Sequence, residues 1–80
     1  MRQLWVDFNS VDAHGRTTTL ARFAEPDVDL VLGARVVVGD DEGNIADAII
    51  VGVSTDGAVD LAVDLGTFLN DPRLAARVNA

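Results

Sequence analysis

Eighty residues carrying 13 acids, six bases and a formal charge of −7 make one small acidic domain, taken as residues 1–80. The absence of cysteine excludes disulfide stapling and thiolate metal sites, so stability must come from a core drawn from a chain that is 49% hydrophobic. All six bases are arginine, and the acid excess opposes the phosphate neutralisation on which nucleic-acid and anionic-lipid binding run. No apolar run approaches the ~18 residues of a membrane span. Asp7 stands where a signal peptide would be apolar, which makes a cytoplasmic protein the expectation.

Hydrophobic alternation has period two almost throughout, the signature of strands with one face buried. In "LWVDFN", residues 4–9, Leu4, Val6 and Phe8 share one face, and Trp5, Asp7 and Asn9 the other. "VDAHG" reads as a turn closed by Gly15, and "RTTTLARF", Arg16 to Phe23, as a β-branched returning strand. Leu20 and Phe23 point to opposite faces of that strand, and a bulge would reconcile them. "AEPDVDLVLGA" is a connection in which Pro26 breaks any ladder, with Leu30 and Leu32 expected to tuck inward. A third strand holds Val36 and Val38 on one face and Arg35 and Val37 on the other. A fourth aligns Ile49, Val51 and Val53, which leaves Ile50 opposite. A fifth, "AVDLAVDL", sets Val59, Leu61, Val63 and Leu65 inward and Asp60, Ala62 and Asp64 outward. The hairpin between them, "TDG", places Gly57 where positive φ is needed. At the tail, Asp71 is an N-cap candidate with Pro72 at the first helical position. Leu74 and Val78 lie four apart, and a short helix over residues 71–78 is expected.

This pattern predicts an all-β fold, a strongly bent five-stranded antiparallel meander with a short C-terminal helix. "LGARVVVGDDEGNIADAIIVGVSTDGAVDLAVDL" resembles the three-stranded meander of SH3-like and translation-factor-type small β-barrels, with its Val-x-Val strand and two acidic-glycine turns. The resemblance covers residues 32–65 and implies a fold. It carries no function, because the aromatic groove of SH3 domains and the basic loop of the ribosome-associated relatives are both unmatched.

"GDDEGN" invites a calcium reading, since Asp40, Glu42 and Asn44 alternate. An EF-hand-type loop needs a glycine at the sixth position and a glutamate at the twelfth, where this chain has Ile45 and Val51. A hairpin turn with Gly43 in the left-handed region needs nothing more. Ser10, Asp12 and His14 could be drawn as a triad, but neighbouring turn residues rarely converge on one point. Asp60 and Asp64, four apart on a strand, lie ~13 Å apart, too far for a paired-carboxylate mechanism. No catalytic residue, cofactor or metal ligand is therefore assigned. A non-catalytic module binding a protein partner, or a second copy of itself, is the first reading. A nucleic-acid-associated barrel or acidic mimic built on Asp7, Asp60 and Asp64 is the alternative, and an enzyme comes third. Trp5 is the chain's single tryptophan and lies off the main apolar row. With Val37, Ile50 and Arg35 it forms the candidate contact patch, covered either by the tail, through Leu69, Leu74 and Val78, or by a partner, with Arg22 at its rim.

Overall fold

The computed structural model describes residues 2–75. It is all-β: a five-stranded sheet curled into a half-barrel, built from β1 (Leu4–Trp5), β2 (Arg16–Leu20), β3 (Arg35–Gly39), β4 (Asn44–Val53) and β5 (Ala58–Asn70), in the order β1-β3-β4-β5-β2. The β3–β4–β5 meander is antiparallel, as the two glycine turns require, and β2 returns antiparallel along β5. The sheet is nevertheless mixed, because β1 runs parallel to β3. The expectation of a purely antiparallel sheet fails there because strands one and two do not pair with each other. The chain between them crosses from one edge of the sheet to the other.

The concave face holds the core: Leu4, Val6, Val36, Val38, Ala46, Ala48, Ile50, Val59, Leu61 and Val63. Two buried threonines on β2 draw the edges together. The Thr19 hydroxyl donates to the Trp5 carbonyl at 2.7 Å, and the Thr17 hydroxyl lies 2.6 Å from that of Ser10. Ala24 bridges Leu4 from the open side of β1. Because these hydroxyls have partners, no buried side-chain polar atom among the described residues is left without a hydrogen bond.

Several expected boundaries and faces differ. The first strand ends at Trp5, and Phe8–Ser10 is a 3-10 turn capped by Asp7. The second ends at Leu20. Ala21–Phe23 is another 3-10 turn, and this turn, rather than a bulge, separates Leu20 from Phe23. Leu30 packs against the core, but Leu32 is exposed. On β4 the inward row is Ala46, Ala48 and Ile50, while Val51 and Val53 are exposed. The concave side of a tightly curled sheet has less room per residue, so two alanines fit between Val36 and Val63 and beside Val38 where a row of isoleucine and valine would not. With Ile50 inward, alternation alone turns Val51 outward, and the pairing becomes irregular between Ile50 and Gly52. Strand β5 runs five residues past Leu65, which is exposed because the strand has outrun the core. Among the described residues there is no α-helix: Pro72–Leu74 forms one 3-10 turn, capped by the Asp71 carboxylate on the Arg73 N–H. The rest of the expected 71–78 helix, with Val78, lies outside the described residues. None of the described helical segments is long and apolar enough to cross a membrane.

Candidate functional site

The "GDDEGN" stretch is the β3–β4 hairpin. One oxygen of Asp40 accepts the N–H groups of Glu42 and Asn44 at 2.9 and 3.0 Å, and the other accepts the Asn44 side-chain amide at 2.8 Å. Partial burial pushes the Asp40 carboxyl up. The bonds from the Asn44 amide and from the two N–H groups outweigh that, so it sits below its ordinary value of 3.8. A lowered carboxyl stabilises the fold above its ordinary pKa and loses that contribution as pH falls through the lowered one. Asp40→Ala should cost about 1 kcal/mol at neutral pH, discounted for partial exposure. The gap from the parent should close as pH falls below 3.8. Urea unfolding across that range checks it, and a gap independent of pH would contradict it.

The His14 turn is likewise structural. The Asp12 carboxylate accepts the His14 and Arg16 N–H groups, which lowers its pKa, while Ser10 bonds to the Asp7 carbonyl and to Thr17. The three side chains do not form a triad.

The candidate patch does not assemble as drawn. Ile50 is a core residue, 1% exposed. Val37 pairs with Asp47, and Arg35 reaches the Asp47 carboxylate at 3.3 Å. Asp47 and Asp64 pair directly on the outer face, and Asp60 accepts the Thr18 hydroxyl. Arg16 and Arg35 share that face, so its charge is mixed.

Trp5 does lie outside the core, as parity requires, but it has different neighbours. Its backbone is fixed by the Thr19 hydroxyl, by pairing with Gly39, and by the Val6 N–H donating to the Gly39 carbonyl at 3.0 Å. Its ring meets Phe23 edge-on, centroids 5.4 Å apart, and is half-buried. Trp5, Phe23, Arg2 and Asp41 line an open groove of about 330 Å³. Arg2 is tied down at one wall, its Nη1 donating to the Asp40 carbonyl at 2.8 Å and to Asp41 Oδ1 at 2.7 Å. At the other side the Glu25 N–H donates to the Gln3 carbonyl, and Arg22 lies over the Phe23 ring at 5.4 Å. The indole N–H donates to none of the described residues. No buried side-chain polar atom among them lacks a partner.

Phe23, Arg2 and Asp41 were not legible as site residues. The parity break between Leu20 and Phe23 was the one local sign that Phe23 leaves the strand. Arg2 and Asp41 meet across 39 positions, which no local pattern announces. No protein-family model, no curated protein and no solved structure matches the chain.

Proposed function

We propose that the chain is a non-catalytic acidic binding module that holds a protein partner through the Trp5–Phe23 groove. The observation that carries the reading is a single tryptophan, its backbone tied down outside the core, that meets one aromatic edge-on and lines an open groove. Rigid aromatics beside a rim of charge are the usual anchors of protein contacts. The described carboxylates whose pKa is displaced serve turns or caps, whereas the groove brings two aromatic rings and a charged pair to one open surface. The fold reading that accompanies this is an SH3-like barrel, supported by the β3–β4–β5 meander around the turns at Gly43 and Gly57.

The experiment is Trp5→Ala in the full chain. A contact residue costs little in the free protein: loss of the edge-on ring pair and part of the buried area should lower stability by about 1–2 kcal/mol, with the β circular-dichroism signal retained. Association, whether with a captured partner or with a second copy seen by sedimentation, should be lost. A stability loss of about 3–5 kcal/mol would make Trp5 a core residue and end the proposal.

A further inference from the structure

We infer that the Trp5 groove takes a basic, extended segment of a protein partner, seating an arginine or lysine between the indole face of Trp5 and the carboxylate of Asp41. This rests on the reading of the groove as a contact site and adds the chemistry of what fills it.

Charge is the first argument. The chain carries −7, and Asp41 stands exposed in the lining of the groove. An acidic segment would meet that carboxylate, and a second copy of the chain would bring a further −7 to the same place. Ring chemistry is the second. The pair already holds one guanidinium, Arg22 over Phe23 at 5.4 Å, whereas no cation lies over Trp5 among the described residues. Tryptophan has the stronger quadrupole of the two rings, so the better cation platform is the one over which no described cation lies. Geometry is the third. Arg2 spends Nη1 on the Asp40 carbonyl and Asp41 Oδ1, which makes it a wall of the groove. The Asp41 side chain stays 59% exposed, and none of the described donors reaches its Oδ2. An incoming cation therefore finds a π face and a carboxylate oxygen together. The indole N–H, which donates to none of the described residues, supplies a donor for a carbonyl of the extended segment that carries it.

The single tryptophan reports directly. The full chain is titrated, by calorimetry and by Trp5 emission, with a blocked peptide of alternating arginine and alanine and with its glutamate counterpart. The arginine peptide is expected to bind saturably and shift the emission, and the glutamate peptide to do neither. Trp5→Ala, which keeps the net charge, should weaken calorimetric binding about tenfold, and Asp41→Asn about threefold. Should Trp5→Ala fold poorly, Phe23→Leu tests the same groove with the indole still present. Arg2→Ala frees Asp41 and should tighten binding about twofold to threefold, more than the remote Arg16→Ala, which changes the charge equally. Unchanged affinity in both Trp5→Ala and Phe23→Leu would reduce binding to diffuse charge and overturn the inference. Equal binding of the glutamate peptide, or weaker binding by Arg2→Ala, would overturn the basic chemistry while leaving the contact site standing. So would a concentration-dependent dimer that shifts Trp5 emission without peptide. If no peptide moves the emission and Trp5→Ala alters no association, the contact reading falls as well.

Discussion

Gly43→Ala should destabilise the protein by about 3–5 kcal/mol, a large effect for a single methyl group. Gly43 has φ of +85°, and a Cβ there would collide with the Asp71 carbonyl oxygen and stand 2.9 Å from its carbonyl carbon. Both are backbone atoms, so no side chain can swing aside. The contact exists because the end of β5 is docked on the hairpin. The Asp71 N–H donates to the Gly43 carbonyl at 2.8 Å, and the Asn70 amide reaches the Glu42 carbonyl and Asn44 Oδ1. Gly57→Ala is the control. Its φ is +94° but nothing lies within 4 Å, so it should cost only the left-handed penalty, about 1–2 kcal/mol. Urea denaturation of the two variants separates conformational strain from collision. Equal losses would mean that Asp71 is not seated on the turn. For a domain of this size the larger loss approaches the whole margin of stability.

Ile50→Ala should cost about 3–4 kcal/mol and the neighbouring Val51→Ala less than about 1 kcal/mol. Ile50 is 1% exposed and lies in register with Leu61, whereas Val51 is 39% exposed. Truncating Ile50 opens a cavity that a curled sheet, tied edge to edge through Thr19 and Trp5, cannot collapse to fill. The pair is a direct test of β4's register, because a one-residue slip exchanges the two outcomes. Equal losses at both positions on urea unfolding would show that the strand does not hold one register.

The features that could be read from residues alone rest on strictly local physics. Alternation along "AVDLAVDL" separates Val59, Leu61 and Val63 from Asp60 and Asp64 as expected, but Leu65, also expected inward, is exposed. Positive φ at Gly43 and Gly57 comes from the turns they close, and Asp71 before Pro72 marks a cap, although the turn it caps among the described residues is 3-10 rather than α. The same reasoning placed Trp5 outside the core, because burying it would have expelled Leu4, Val6 and Phe8; Leu4 and Val6 are fully buried, while Phe8 sits half-buried in a 3-10 turn. Three things were decided only by the tertiary structure. The inward row of β4 depends on how sharply the sheet curls, since curvature sets the volume available and favours Ala46 and Ala48 over bulkier neighbours. The parallel pairing of β1 with β3 depends on a crossover whose geometry no window of sequence contains. The groove depends on Phe23 and Asp41 arriving from two other segments at the one that carries Arg2 and Trp5, through backbone bonds to Val37 and Gly39 and the Thr19 hydroxyl bond that exist only once the half-barrel has closed. Periodicity specifies which side of a strand is apolar. Which apolar side becomes the concave one, and what meets across its edge, is a property of the closed sheet.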